Sequence, residues 1–216
     1  MKKNQKNLFA GLFLLATFVL WTVAVAFIDV QPIGPQGSSV GFDAVNGFVQ
    51  ELIGINMALY AITDWLSIIP LAFVGGFAAL GFFQWIKRKS FLKVDFSIIA
   101  LGVFYIAVMA AFLLFEFLII NYRPALIEGN LEVSYPSSTT MLVICVMPTS
   151  IMQLNERIKN RTFKRCVRSI VIAFTAFMVV GRILSGVHWI TDIIGGALLS
   201  AGFVSIYKYV CLLKRN

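Results

Sequence analysis

The chain has 216 residues, of which 59% are hydrophobic and only 13% charged, and its mean hydropathy is +0.87. An ordinary soluble domain is about 45–50% apolar and about 25% charged, so this composition excludes a water-soluble globular enzyme. Membrane-spanning helices of ~20 residues each would occupy most of the chain. The composition therefore predicts a single membrane-embedded domain over residues 1–216.

Six apolar runs follow one another along the chain, and each predicts a transmembrane helix. They are Leu8–Ile28, Leu66–Trp85, Phe96–Ile120, Thr140–Leu154, Ile170–Val180 continuing to Leu184, and Trp189–Leu213. The first run exceeds the roughly 7–15 apolar residues of a signal peptide and has no small-residue cleavage pattern, so we expect it to remain as a helix. The predicted fold is an all-α, polytopic bundle of six transmembrane helices.

A short amphipathic segment lies between the first two runs, after the Gly- and Pro-containing stretch Pro32–Gly41. Its apolar residues recur at helical spacing and are Val45, Phe48, Val49, Leu52 and Ile53. This pattern predicts a short external helix. The helix would either lie on the outer leaflet, where it could cover the mouth of a site, or pack against the bundle.

The basic residues give the orientation of the bundle. Sixteen of the 18 lysines and arginines fall on one side of the membrane under an even number of spans, and short cytoplasmic loops retain such residues. They are Lys2, Lys3, Lys6, Lys87, Arg88, Lys89, Lys93, Arg157, Lys159, Arg161, Lys164, Arg165, Arg168, Lys208, Lys214 and Arg215. We therefore expect cytoplasmic termini in the plasma membrane, and we read the net charge of +8 as a topology signal rather than a sign of nucleic-acid binding.

Arg123 and Arg182 are the two exceptions, and both fall on the external side. Arg123 is expected to close the third helix, and Arg182 to end the fifth, shortly before His188, the only histidine, and Asp192. Each charge alone could be an interfacial anchor or part of a structural ion pair. Ionisable groups at membrane depth are nevertheless functional candidates by default, so this end of the bundle is the predicted site.

The spacing of these residues indicates a nucleophile and an anion site. His188 and Asp192 are four residues apart and share a helix face, so the carboxylate can orient the imidazole. The Ser185–Gly186 turn lets Arg182 fold back beside them, and two planar guanidinium groups suit a phosphate. The hydroxyl-rich stretch Tyr135–Thr140 precedes the fourth run, where it can cap the helix and present its first N–H groups to an anion.

At these positions the sequence resembles the type 2 phosphatidic acid phosphatase superfamily, the six-helix membrane lipid phosphate phosphatases. The resemblance covers the chain from about Phe96 to the C-terminus. The third motif of the superfamily is Ser-Arg, five residues, His, three residues and Asp. It is matched by Arg182, His188 and Asp192, with Gly181 in place of the serine.

The first two motifs are only partly retained. The first, Lys, six residues and Arg-Pro, keeps Arg123 and Pro124 but has Glu116 in place of the lysine. The second, Pro-Ser-Gly-His, reads Pro136–Thr139, so that Ser138 replaces the glycine and Thr139 the histidine.

The resemblance implies a phosphatase in which His188 attacks phosphorus and a phosphohistidine is then hydrolysed by water. Asp192 would orient His188. Arg123, Arg182 and the amides around Ser137 and Ser138, together with Thr139, would hold the phosphoryl group. No metal or other cofactor is implied, and the expected partner is a membrane lipid substrate at the external face.

The change at Thr139 favours one class of substrate. In the superfamily this histidine protonates the leaving group, and threonine is too weak an acid to do so near neutral pH. A phosphate leaving from a diphosphate, with a second pKa of about 6, departs with little assistance, whereas an alkoxide needs a proton. We therefore expect a polyprenyl diphosphate as substrate.

Glu116 has three possible roles. Glu116 is expected to be buried two turns below Arg123, as a neutral hydrogen-bonding group, a partner of an arginine or a replacement proton donor. Glu128 and Glu132 are expected to be solvated.

Two functions other than catalysis are possible. The first is a catalytically impaired homologue that binds or moves a phospholipid or prenyl phosphate. The second is a small transporter, which the absence of repeated halves disfavours.

Overall fold

The computed structural model describes residues 3–214, so that Lys2 and Arg215 of the basic residues named above lie outside the described part. This part of the chain is helical and contains no β-strand, only isolated bridges in two loops. The helices are α1 (Lys3–Phe27), α2 (Asp43–Ile53), α3 (Met57–Leu66), α4 (Ile68–Arg88), α5 (Phe96–Phe117), α6 (Ser138–Arg157), α7 (Arg161–Ser185) and α8 (Ile190–Leu213). Two 3₁₀ turns, Pro35–Gly37 and Phe91–Lys93, lie in the connections.

Each of the six apolar runs forms a helix, which confirms the all-helical fold. Within the described residues, five segments are long and apolar enough to cross a membrane. They are α1, the continuous segment of α3 and α4, and the helices α5, α7 and α8. The remaining run forms α6, which lies in the centre of the bundle in contact with α4, α5, α7 and α8. Because protein surrounds it, α6 tolerates buried polar residues, and the hydroxyls of Thr149 and Ser150 donate to carbonyls of their own helix.

Close helix packing depends on small residues where α1 crosses α8. A Cβ atom at Gly202 would lie 2.8 Å from Cδ2 of Leu15, and one at Gly11 would lie 2.7 Å from Cγ1 of Ile206. Glycines at these positions let the two backbones approach, as is common between helices in membranes.

One end of the bundle carries most of the basic residues. Asp95, just before α5, is 2.8 Å from Nη1 of Arg88 and 3.5 Å from Nη2 of Arg157, and its second oxygen accepts from Gln84. Burial alone would raise the pKa of Asp95, but these hydrogen bonds and charges outweigh it and lower the pKa. The ends of α4, α5 and α6 therefore meet here, and the loop Leu118–Ser137 and the α7–α8 turn lie at the opposite end.

The amphipathic helix predicted between the first two runs is α2. Its polar side docks on the bundle, where Asn46 donates to Oγ1 of Thr191 and Gln50 donates to the carbonyl of Gly186. On its other side Phe48 and Leu52 are 65% and 75% exposed. One face of α2 is thus packed and the other is free to contact lipid.

The structure differs from the sequence-based prediction in three details. The apolar runs do not predict α3 as a separate helix, which follows α2 and continues into α4. Arg123 does not close the third helix, because α5 ends at Phe117 and the following proline disfavours a helical conformation at Arg123. Glu116 is therefore not on a shared helix face with Arg123, and it is exposed rather than buried.

Candidate active site

The turn between α7 and α8 places His188. Gly186 ends α7 with φ of 62°, a left-handed conformation that favours glycine. A Cβ atom at this position would lie 1.8 Å from the carbonyl oxygen of Gly54, so the turn is packed directly on the α2–α3 connection. The N–H of Asn56 donates to the carbonyl of Ser185 at 2.8 Å and fixes this contact.

The loop Leu118–Ser137 brings Arg123 and Ser134 to the same place. Its two arms pair through two backbone hydrogen bonds. The N–H of Arg123 donates to the carbonyl of Glu132, and the N–H of Ser134 donates to the carbonyl of Asn121. The indole N–H of Trp189 donates to the carbonyl of Tyr122 at 2.7 Å and attaches the loop to the start of α8.

His188, Ser134 and Asp192 form a buried hydrogen-bonded group. Ser134 Oγ is 3.0 Å from Nδ1 of His188 and donates to Oδ2 of Asp192. The direct distance from Nδ1 to Oδ2 is 3.7 Å, which is too long for a hydrogen bond. Asp192 also accepts from the side chain of Asn121 and from the N–H of Trp189, both at 3.0 Å. The carboxylate is therefore well supplied with donors although it is fully buried.

The imidazole of His188 is neutral at physiological pH. Burial, together with the charges of Arg123 and Arg182, lowers its pKa from 6.5 to about 4 against the opposing effect of Asp192. A neutral imidazole has a free lone pair on one ring nitrogen, as a nucleophile requires.

Arg182 and Arg123 lie on the same aromatic ring. The guanidinium carbon of Arg182 is 4.8 Å and that of Arg123 5.7 Å from the ring centre of Tyr60, within the range of a cation–π interaction. Arg182 also donates to Thr63 and lies 3.5 Å from Asp64. Arg123 is 3.3 Å from the half-exposed carboxylate of Glu132.

Four nitrogen atoms of the site are buried without a hydrogen-bond partner in the described part of the chain. They are Nε2 of His188, Nε and Nη1 of Arg123, and Nε of Arg182, and of these only Nε of Arg123 lies in an ion pair, with Glu132. Buried unsatisfied polar groups are rare and costly, so a polar ligand bound here would be stabilised by several groups at once. The two guanidinium groups provide positive charge and donors, and Nε2 provides a lone pair, which together suit a phosphoryl group.

A narrow cavity joins several of the predicted site residues. Arg123, Ser138, His188 and Glu116 line it, together with Ser134, which was not predicted. Glu116 is thus near the site although it is exposed. Among the described residues, no group of three or more His, Cys, Asp and Glu side chains is arranged to hold a metal ion.

The other predicted phosphate-binding residues are placed differently. The hydroxyl of Ser137 accepts from Thr140 and makes no capping hydrogen bond, and its N–H donates to the carbonyl of Asp192. Both groups are therefore engaged within the protein. Thr139 lines a neighbouring apolar groove between α4, α5 and α6.

Several residues of the site escaped the sequence analysis. Tyr60, Thr63 and Asp64 come from α3, and Asn121 and Ser134 come from the loop after α5. The side chain of Asp64 is more than half exposed, so its carboxylate needs no partner and no local pattern marks it as a site residue. Ser134 gave no signal either, since its contact with His188 spans 54 residues.

Comparisons with known proteins give a family match over the C-terminal part of the chain and a similar fold. The family model of the PAP2 superfamily matches residues 117–215, which confirms the resemblance that the motifs indicated. The fold is similar to the crystal structure of a transmembrane PAP2-type phosphatidylglycerolphosphate phosphatase from Bacillus subtilis, with a TM-score of 0.67 and 15% sequence identity over 96% of this chain and 97% of the other. None of the curated proteins compared with the chain matches it. The chain is an integral membrane protein.

Proposed function

We propose that this chain, whose residues 117–215 match the PAP2 superfamily, hydrolyses a lipid phosphate with His188 as the nucleophile. The observation that carries the proposal is the cluster of unpaired buried nitrogens, Nε2 of His188 beside Nη1 of Arg123 and Nε of Arg182. A phosphoryl group bound there would offer oxygens to the guanidinium groups and phosphorus to the lone pair of Nε2. The fold similarity to a phosphatidylglycerolphosphate phosphatase supports the same reaction class.

The reaction has two steps. In the first, Nε2 of His188 forms a bond to phosphorus while the bond from phosphorus to the leaving oxygen breaks, and the leaving group takes the electron pair. In the second, water attacks phosphorus, the Nε2–phosphorus bond breaks, and phosphate is released. Arg123 and Arg182 bind the phosphoryl oxygens and stabilise the negative charge on them in both transition states.

The surroundings of the site favour a lipid substrate. The cavity beside His188 meets the larger groove at Phe112, Ser138 and Met141, which line both. The groove has a volume of about 350 Å³ and is lined chiefly by apolar side chains of α4, α5 and α6. An apolar chain in this groove would leave its phosphorylated end at the cavity.

We infer that the preferred substrate is a polyprenyl diphosphate, taken from the external face of the plasma membrane. Thr139 stands where the superfamily has its proton donor, and a threonine hydroxyl cannot protonate an alkoxide near neutral pH. A departing phosphate needs less assistance because its second pKa is about 6. Glu116 lines the cavity, but it is exposed and stands where the superfamily has a lysine, not at the position of the proton donor.

Phosphate release from a matched panel of lipids tests the proposal. Purified protein is assayed with a polyprenyl diphosphate, a polyprenyl monophosphate, phosphatidic acid and phosphatidylglycerol phosphate in mixed micelles, alongside His188→Asn and Glu116→Gln variants. We expect fastest release from the diphosphate and loss of release in His188→Asn. Equal rates on phosphatidic acid would overturn the diphosphate preference. Tight lipid binding without release by the wild type would support the binding homologue instead.

The external location is tested separately. A reporter that is active only in the cytoplasm, fused after Asn216, is expected to be active, since the site lies at the end of the bundle opposite the basic residues. An inactive fusion that is exported would place the site on the cytoplasmic side.

A further inference from the structure

Ser134 lies between His188 and Asp192. Its hydroxyl oxygen is 3.0 Å from Nδ1 of His188 and donates to Oδ2 of Asp192, whereas Nδ1 and Oδ2 are 3.7 Å apart. The side chain is buried, and the N–H of Ser134 is fixed by the carbonyl of Asn121 at 3.1 Å. The contact between the histidine and the aspartate therefore runs through this hydroxyl.

The number of donors determines the direction of each hydrogen bond. A serine hydroxyl has one hydrogen, and an ionised carboxylate can only accept, so the hydrogen of Ser134 goes to Asp192. Such a bond to a charged acceptor is stronger than one to a neutral imidazole. The hydroxyl oxygen then accepts, and its neighbour Nδ1 must carry a proton.

We propose that Ser134 is a positioning residue, whose hydroxyl holds His188 in the tautomer protonated on Nδ1 and so leaves the lone pair on Nε2. The proposal rests on the proposed role of His188 as the nucleophile. When Nε2 bonds to phosphorus, the ring becomes cationic and keeps its proton on Nδ1. The chain of hydrogen bonds through Ser134 to Asp192 stabilises that charge.

The tautomer can be measured without any reaction. His188 is the only histidine, so ¹⁵N-histidine labelling gives one pair of ring-nitrogen resonances for the whole protein. At neutral pH we expect Nδ1 of the wild type to show the shift of a protonated nitrogen and Nε2 that of an unprotonated one. Ser134→Ala should shift this population towards the tautomer protonated on Nε2. A wild type already protonated on Nε2, or no change in Ser134→Ala, would overturn the proposal.

Kinetics provides the second readout. Ser134→Ala should lower kcat by roughly 10–100-fold, the usual effect of losing a group that orients a reacting side chain, while KM changes by less than about twofold because the arginines remain. Ser134→Thr keeps the hydroxyl and should recover much of the rate. The matched control is Ser150→Ala, since Ser150 is also fully buried but its hydroxyl donates to a carbonyl within α6, away from His188. An equal loss of rate in Ser134→Ala and Ser134→Thr, or in the control, would indicate a merely structural role.

The two proposals fail in different ways. If the wild type releases no phosphate from any lipid, the proposed function is overturned, but the histidine resonances still support or overturn the role of Ser134. If His188→Asn is inactive and the resonances of Ser134→Ala equal those of the wild type, the phosphatase stands and the role of Ser134 is overturned.

Discussion

The turn that carries His188 has room only for glycine at position 186, so Gly186→Ala perturbs the site without changing a reacting group. The backbone there has φ of 62°, and an added Cβ atom would lie 1.8 Å from the carbonyl oxygen of Gly54. The substitution therefore combines a strained backbone with a steric overlap. The overlap can be relieved only if the α7–α8 turn and the α2–α3 connection move apart.

The two costs can be separated with a matched control. A left-handed conformation costs an L-residue roughly 1–2 kcal/mol, and overpacking of a filled site adds roughly 1–3 kcal/mol. Gly37 also has positive φ, of 74°, but nothing lies within 4 Å of its added Cβ atom. Gly37→Ala should therefore show the backbone cost alone, and Gly186→Ala should be less stable by about 1–3 kcal/mol.

Thermal unfolding in detergent measures this difference. At about 2–4 °C per kcal/mol for a chain of this size, the Tm of Gly186→Ala should lie roughly 2–12 °C below that of Gly37→Ala at the same scan rate. Displacement of His188 by about 1 Å should also lower kcat by up to roughly 100-fold. If Gly186→Ala is as stable and as active as Gly37→Ala, the described packing of the turn is wrong.

Three further predictions concern charge in the site. Tyr60→Leu removes the ring that lies under both arginines, and at about 0.5–2 kcal/mol per cation–π contact it should raise KM by roughly 5-fold or more. Initial rates over a range of substrate concentrations measure this change, and an unchanged KM would contradict the contact. Glu132→Gln removes the carboxylate 3.3 Å from Arg123 that competes with the substrate phosphate for the guanidinium group, and it should lower KM by up to about 5-fold. An increase in KM would mean that Glu132 helps to bind substrate. Because the buried His188 has a pKa lowered from 6.5 to about 4, the unfolded chain takes up a proton on this residue first, and the wild type should lose stability relative to His188→Asn as the pH falls from about 7 towards 4. A Tm difference between the two proteins that does not vary with pH would contradict the burial of His188.

The sequence predicted the helices well because a membrane imposes a strong pattern on them. A spanning helix needs ~20 apolar residues, and runs of that length are visible without any knowledge of tertiary contacts. The prediction weakened at α6, whose polar residues bond within the central helix, and at α3. There, Met57–Leu66 continues into the apolar run of α4, so that composition alone did not show where a separate helix begins.

The chemistry of the site could be predicted only for residues close together in the chain. His188 and Asp192 are four residues apart, and both arginines were conspicuous because they lie on the side of the membrane without other basic residues. Ser134 and Tyr60 act through contacts that span 54 and 122 residues, which no local pattern reports. The conformation of the loop after α5 also depends on its pairing and on Pro124, so the sequence misplaced Arg123 on a helix.

Trapping of the covalent intermediate tests the central claim most directly. Wild type and His188→Asn are mixed with a polyprenyl diphosphate labelled in the terminal phosphate, quenched in alkali within milliseconds and digested for mass spectrometry. The chain has one histidine, so a phosphohistidine can arise at one position only. We predict an alkali-stable, acid-labile phosphate on His188 in the wild type and no label or turnover in His188→Asn. Turnover by His188→Asn at the wild-type rate would contradict the account.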